Sequence, residues 1–194
     1  HPLYVKKVMR DKKFFGYAVS GKQADCVKFA LDVLLKQPPD VVVSGINFGG
    51  NDGCSVFYSG TVAGAREGAL CGIPSLAISL DMYKNPDFTN AAKFAAKITK
   101  TIYYDSLPQG TFLNVNVPAG KPLGACWTRQ GTKPIHGKFV ARQNPHDKEY
   151  FWMTATMPTY EPNHEIDTFA LAKKYITVTP VQCDLTDERF LEKA

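Results

Sequence analysis

The chain has 194 residues and a hydrophobic content of 44%, which suffices for one globular core and excludes a disordered protein. It has no run of the roughly 18 apolar residues that cross a bilayer, so no membrane partner is expected. Its net charge of +5 arises in the first 36 residues, where eight Lys or Arg accompany three Asp. We interpret this excess as the solvated surface of a hairpin, without the basic and aromatic interleaving of RNA-binding proteins, and nucleic acid is not an expected partner.

The first third of the chain predicts a hairpin, a helix and a strand. Leu3–Val8 and Phe14–Val19 have strand character and flank a charged turn at Arg10–Lys13. The segment Ala24–Lys36 has apolar residues at helical spacing and ends before a Pro-Pro pair. The short β-branched run Val41–Val43 then predicts a central strand of a parallel sheet.

Strands and helices continue to alternate as far as Pro118. This alternation predicts a Rossmann-like, three-layer α/β/α core with a parallel sheet covered on both faces. After Pro118 the chain changes to strand-like segments joined by long polar connections. The elements predicted downstream are a helix from Thr61, a strand at Ser75–Leu80, a helix at Thr89–Tyr104, strands at Phe112–Val117, Ala125–Gln130, Phe139–Arg142 and Tyr150–Met157, and a closing helix at Glu188–Ala194.

The most informative segment lies between Pro39 and Gly68, where a strand is followed by a Gly-, Asn- and Ser-rich loop and then a helix. Ser44 and Gly45 are expected to end the strand, which places Asn47 in the crevice beyond its carboxyl end, where open α/β sheets bind ligands. The helix opens at Ser59-Gly60-Thr61, with Ser59 or Thr61 as its cap. Backbone N–H groups and the positive end of the helix dipole therefore converge on one place, which predicts an anion site, most often one for phosphate.

Each residue of this segment also has a simpler interpretation. Asn47 by itself is more often a turn residue than a ligand, and Ser59 by itself is more often only a helix cap. The combination favours binding, because a loop built only for turning needs neither this length nor so many hydroxyl and amide groups.

Three motifs closely resemble the SurE family of survival proteins. They are VVVSGINFGGN at 41–51, YSGTVAGAREG at 58–68 and GIPSLAISL at 72–80, and the combination of SGIN, YSGTV and EG is specific to that family. Weaker similarity extends over nearly the whole chain. It is found at Ala24–Val27, Leu113–Pro118, Thr128–Thr132 and Tyr175–Pro180.

The resemblance implies a metal-dependent phosphomonoesterase that hydrolyses nucleoside monophosphates (a 5'-nucleotidase or acid phosphatase), with 3'-nucleotides and polyphosphate as further candidate substrates. It identifies Asn47 with the asparagine metal ligand of the family. It also identifies Ser59, Gly60 and Thr61 with the segment that binds phosphate. Oxygen-rich ligation that includes an asparagine favours Mg²⁺ or Mn²⁺.

The resemblance also shows what this sequence lacks. Members of the family open with a strand ending in Asn-Asp-Asp-Gly, whose aspartates bind the metal together with a serine from a later loop, and this sequence has no Asp-Asp pair. No catalytic residue is therefore assigned. We expect the sequence to be a piece of a longer enzyme, and the alternatives are a non-catalytic phosphate-binding scaffold and an enzyme that uses a nucleotide as cofactor.

The sequence also departs from the family at two places. After Asn51, Asp52-Gly53-Cys54-Ser55 replaces the usual Leu-Gly-Asp-Asp, and earlier in the chain Ser20–Gln23 replaces a Gly-Thr-Pro turn.

We divide the chain into three parts. Residues 1–120 form the phosphate-binding α/β core, 121–174 form a β-rich arm, and 175–194 return to the core and end in a helix. The resemblance implies that the arm consists of protruding β-hairpins through which subunits pair, giving a homodimer or a dimer of dimers, and that Ile176–Val181 rejoins the sheet.

Five scattered cysteines without CxxC spacing predict reduced, buried thiols and a cytoplasmic location.

Overall fold

The computed structural model describes residues 2–134, 136–156 and 162–193. Its main body is a five-stranded sheet with helices on both faces, and two antiparallel hairpins lie outside that sheet. The elements are β1 Val5–Arg10, β2 Lys13–Val19, α1 Gln23–Phe29, β3 Val42–Phe48, α2 Gly60–Leu70, β4 Ser75–Asp81, α3 Thr89–Asp105, β5 Thr111–Pro118, β6 Gly124–Trp127, β7 His136–Gln143, β8 Glu149–Thr156, α4 Asp167–Ala172, β9 Tyr175–Gln182 and α5 Glu188–Leu191.

The central sheet has the strand order β3-β4-β5-β9-β6. Strands β3, β4 and β5 are parallel, as the alternation of strands and helices predicts. Strand β9 is antiparallel to β5, and β6 is parallel to β9, so the sheet is mixed and not wholly parallel. The helices α2 and α3 connect parallel neighbours, so both begin near the carboxyl-end edge of the sheet, which is where the predicted site lies.

The two faces of the sheet differ in chemistry. One face is apolar: Leu76, Ile78 and Leu80 of β4 pack with Ile98 and Ile102 of α3 in a continuous buried cluster. On the other face, Ala77 and Phe112 pack under Val62, Ala65 and Ala69 of α2. Towards the carboxyl end of β4, this second face becomes polar. Its buried residues there are Ser79, Asn114, Asn116, Thr177 and Thr179.

The predicted α/β class and the alternation of elements are confirmed, with two corrections around β3. Within the described residues β3 lies at the edge of the sheet, not at its centre, and Val43 is 46% exposed. The strand also does not end at Ser44 and Gly45 but continues to Phe48 after a register shift between Ser44 and Asn47. The residue that allows this path is Gly45, at φ +132°, because any Cβ there would meet the carbonyl oxygen and side chain of Ile78 on β4.

Two hairpins project from the body. The first pairs β1 with β2, as predicted, and exposes five basic residues, which are Lys6, Lys7, Arg10, Lys12 and Lys13. The second pairs β7 with β8 in an unbroken register and exposes large apolar side chains. The role of the second hairpin in subunit pairing stays a prediction. Two predicted elements end at residues outside the described ones, namely Met157 and Ala194. The exposed apolar residues of the second hairpin are Phe139, Val140, Tyr150, Phe151, Trp152 and Met153.

The cysteines differ from the prediction in burial. All five are free, but Cys71 is exposed and the others are only half-buried. In the part of the chain that the structure describes, no helix is long and apolar enough to cross a bilayer.

Candidate active site

Asn47 lies near the end of β3 and pairs in register with Ser79 of β4. Its side chain is half-buried, and Nδ2 donates a hydrogen bond of 2.8 Å to the carbonyl oxygen of Gly49. This bond orients the amide and leaves Oδ1, which accepts no hydrogen bond from any described residue, as the exposed acceptor. The carbonyl oxygen of an asparagine is a ligand that hard divalent cations accept, so the geometry of Asn47 fits the role of a metal ligand.

The loop after Asn47 is attached to the polar face of the sheet through Asn51, which is 8% exposed. Its backbone N–H donates to Oδ1 of Asn116 at 2.7 Å, and its carbonyl oxygen accepts from Nδ2 of Asn114 at 2.8 Å. The Asn51 side chain donates in turn to Oγ of Ser79 at 2.7 Å. Ser79, Asn116 and Thr177 are register partners across three strands, so β4, β5 and β9 together provide the floor beneath this loop.

Asp167, at the start of α4, holds the same loop from the other side. Its carboxylate is fully buried and accepts from the backbone N–H groups of Gly53 at 2.8 Å, Gly131 at 2.8 Å and Thr168 at 2.7 Å. Burial raises the pKa of Asp167, while the three N–H donors act in the opposite direction. One carboxylate therefore joins three segments: the loop between Asn47 and Ser59 (the site loop), the segment that follows β6, and the start of α4.

Two further carboxyl groups belong to the same region. Burial raises the pKa of Asp52 from 3.8 to about 6, and the nearby carboxylates of Asp167 and Asp81 add to this rise. Burial also raises the pKa of Asp81 at the end of β4, against the attraction of the Lys174 ammonium. A Cβ added to Gly50 would lie 3.0 Å from Oδ1 of Asp52 and 3.3 Å from Oδ1 of Asp81, so both carboxyl groups border this turn.

The segment predicted to bind phosphate opens helix α2 at the far end of the loop. Ser59, one of the two predicted candidates, is the N-cap, and its Oγ accepts from the backbone N–H of Val62 at 3.2 Å. Thr61 is 5% exposed and lies in the first turn of the helix. Gly60 lies against α1, because a Cβ added there would meet the side-chain amide of Gln23, which would have to move. Asn47 and the α2 N-terminus thus lie at the two ends of one loop, on the carboxyl-end side of β3.

An aromatic pair borders the loop beside Asn47. The rings of Phe48 and Tyr83 lie 6.5 Å apart, centroid to centroid, at an interplanar angle of 58°. A Cβ added to Gly49, whose φ is +104°, would lie 3.3 Å from Cε1 of Tyr83 and 4.0 Å from Nδ2 of Asn47. The tyrosine ring and the asparagine amide therefore bound the same small space, which exists because residue 49 has no side chain.

Sequence reasoning named Asn47 and the Ser59–Thr61 segment as site residues, which stays a prediction, and it missed the residues that contact or border them. Among the described residues, no group of three or more His, Cys, Asp or Glu side chains is arranged to hold a metal ion. The residues that were missed are Gln23, Asn51, Asp81, Tyr83, Asn116 and Asp167. A run of alternating asparagines in an otherwise apolar strand, LNVNVP at 113–118, was the one local signal that a buried polar surface faces a loop.

Taken together, these features define an α/β protein in which one loop at the carboxyl edge of the sheet joins Asn47 to the capped N-terminus of α2. The family model described as "Survival protein SurE" matches residues 1–137, and the chain belongs to the SurE family.

Similar proteins cover almost all of this chain. The 5'-nucleotidase SurE of Chlorobium limicola is 42% identical over 194 residues, which are 98% of this chain and 75% of that protein. The 5'-nucleotidase SurE of Thermosipho melanesiensis is 42% identical over 195 residues, covering 99% of this chain and 76% of that protein. The crystal structure of the SurE protein from Aquifex aeolicus superposes with a TM-score of 0.83 and 34% identity, over 100% of this chain and 78% of that chain.

Proposed function

We propose that this protein is a hydrolase that removes phosphate from nucleoside monophosphates, as a 5'-nucleotidase. The observation that carries this proposal is one loop with an oriented asparagine oxygen at one end and a capped helix N-terminus at the other. The family membership and the names of the relatives at 42% identity support the same activity.

Within this proposal, the phosphate of the substrate binds at the start of α2. The backbone N–H groups of Gly60 and Thr61 and the helix dipole provide positive potential there. The hydroxyl groups of Ser59 and Thr61 add polar contacts to the phosphate oxygens. Donors fixed in this way stabilise the charge that develops on the equatorial oxygens during phosphoryl transfer.

We also propose that Asn47 binds a divalent metal ion, with Mg²⁺ or Mn²⁺ as the expected species, because its Oδ1 is a hard oxygen donor held in place by the Gly49 carbonyl. Such an ion, when bound, acts as a Lewis acid on a phosphate oxygen and lowers the pKa of a bound water. The chain's own contribution is to hold Oδ1 and the α2 N-terminus in fixed positions through Asn51 and Asp167.

Three further properties are part of the proposal. The broader substrates, 3'-nucleotides and polyphosphate, share the phosphate group that the α2 N-terminus would bind. Pairing into a dimer or a dimer of dimers would cover the exposed aromatic surface of the β7–β8 hairpin. A cytoplasmic location agrees with five free cysteines.

The test is hydrolysis of AMP by the purified protein, with phosphate release measured in Mn²⁺, in Mg²⁺ and after removal of metal with EDTA. Metal-dependent release that is restored by adding the ion back supports the proposal. Tight AMP binding without turnover in either metal would favour the alternative, a non-catalytic phosphate-binding scaffold. Turnover that is unaffected by EDTA would contradict the proposed metal requirement, and the proposed hydrolase activity would stand without it.

A further inference from the structure

Tyr83 follows β4 directly and turns back over the site loop. Its ring carbon Cε1 faces the space above Gly49 that Nδ2 of Asn47 also borders. Burial raises the pKa of Tyr83, and the nearby carboxylate of Asp81, at the end of the same strand, adds to this rise. The ring is thus placed next to the proposed metal ligand and near the Asp81 carboxyl group.

The two aromatic side chains remain exposed. Tyr83 is 69% exposed and Phe48 is 47% exposed, and both lie beside the loop that follows Asn47. Exposed aromatic side chains offer a flat apolar surface, and they lose little conformational entropy on binding because they have only two side-chain torsions. Nucleobases bind such surfaces by stacking, and they do so with little dependence on base identity.

We propose that Tyr83 is the stacking surface for the nucleobase of the substrate, with Phe48 closing one side. This inference rests on the proposed function and adds the part of the nucleotide that the phosphate site does not explain. The interplanar angle of 58° between the rings excludes a parallel sandwich, so the base stacks on one face of Tyr83 and meets Phe48 at an edge.

Another exposed aromatic pair, far from the site, serves as a comparison. Tyr103 and Tyr104 on α3 have ring centroids 5.0 Å apart and are 52% and 79% exposed. They lie near the C-terminal end of α3, whereas the site lies at the edge of the sheet where that helix begins. Position next to Asn47, and not exposure alone, is what distinguishes Tyr83.

The experiment compares AMP with ribose 5-phosphate, which carries the same phosphate and sugar but no base. For wild type, Tyr83→Ala, Tyr83→Phe and the control Tyr103→Ala, kcat and KM are measured with both substrates. Binding of both ligands is measured in parallel by titration calorimetry, which does not depend on turnover. Tyr83→Ala is expected to raise KM and Kd for AMP by about 5- to 100-fold and to leave the values for ribose 5-phosphate unchanged. Tyr83→Phe keeps the ring and is expected to remain within about threefold of wild type for AMP.

Two results would overturn the inference. An equal loss for AMP and ribose 5-phosphate in Tyr83→Ala would mean that Tyr83 positions the loop and does not contact the base. No change for AMP in Tyr83→Ala would mean that the base binds elsewhere. Failure of the proposed function looks different, because wild type would then hydrolyse neither compound.

Discussion

The backbone N–H of Asn51 donates to Oδ1 of Asn116 at 2.7 Å across a separation of 65 residues. Both residues are buried, and Asn116 is fully so. The bond joins the loop that carries the candidate site to the middle strand of the sheet. Because a buried N–H without an acceptor is costly, this pair fixes the height of the loop above the sheet.

Replacement of Asn116 by Ala is therefore expected to lower the free energy of unfolding by about 1–3 kcal/mol, since it leaves the Asn51 N–H buried without an acceptor. AMP hydrolysis should fall as well, because the loop carries Asn47 at one end. Urea denaturation followed by circular dichroism measures the first effect. The matched control is Asn90→Ala, which removes an exposed amide that donates to the Gly120 carbonyl at 2.9 Å and should change stability by less than about 1 kcal/mol. Equal effects of the two substitutions would contradict the role given to Asn116.

Asp167→Asn tests the buried carboxylate that joins three segments. The amide can accept on one side only, and its NH₂ group would face a backbone N–H, so at least one of the three hydrogen bonds is lost. A loss of about 2–4 kcal/mol in unfolding free energy is expected, since hydrogen bonds to a charged group are the stronger class. Asp184→Asn is the control, because that exposed carboxylate accepts from Thr186 alone among the described residues and should contribute much less to stability. A stability of Asp167→Asn equal to wild type would show that the carboxylate is not required to join the segments.

The stability of the protein is expected to depend on the ionisation of Asp52. Its pKa in the folded state, about 6, lies above the ordinary value of 3.8, so folding favours the protonated form. The stabilisation is fully present below pH 3.8 and is lost as the pH rises to about 6, with an upper limit of about 3 kcal/mol.

Asp52→Asn removes this dependence and should unfold at higher urea concentration than wild type at pH 7, with the difference shrinking towards pH 4. Asp11→Asn, which neutralises an exposed carboxylate in the turn of the first hairpin, is the control for the loss of one negative charge and should change stability by less than about 1 kcal/mol. A constant difference between Asp52→Asn and wild type over that pH range would rule out the titration of Asp52 as its cause.

Asn47 is expected to affect catalysis and not folding. Asn47→Ala removes the proposed oxygen ligand, so we expect at least about a tenfold fall in kcat for AMP and a rise in the Mn²⁺ concentration needed for half-maximal activity. Asn47→Asp keeps an oxygen ligand and adds a negative charge. Compared with Asn47→Ala, it should recover metal binding more fully than it recovers activity. Circular dichroism should show the same fold for all three proteins. An unchanged rate and metal dependence in both variants would remove Asn47 from the site.

Much of the local structure could be predicted from the sequence. The strand at Ser75, the long helix from Thr89 and the helix cap at Ser59 depend on periodicity and on residues within one turn of each other, and the structure confirms them. The end of β3 could not be predicted, because whether a strand continues past Ser44 and Gly45 depends on the register with β4. The edge position of β3 was missed for the same reason, since strand order is a property of the whole sheet.

The sequence by itself determined the α/β class, the family and the two ends of the site loop, because the SGIN and YSGTV motifs are contiguous segments whose chemistry acts over a few residues. Only the tertiary structure decided what holds and borders that loop. Asn116 and Asp167 reach it from 65 and 114 positions away, and Tyr83 meets it from the end of the next strand. Contacts of this kind leave no periodic signal in the chain, since they form only when separate strands and helices pack side by side.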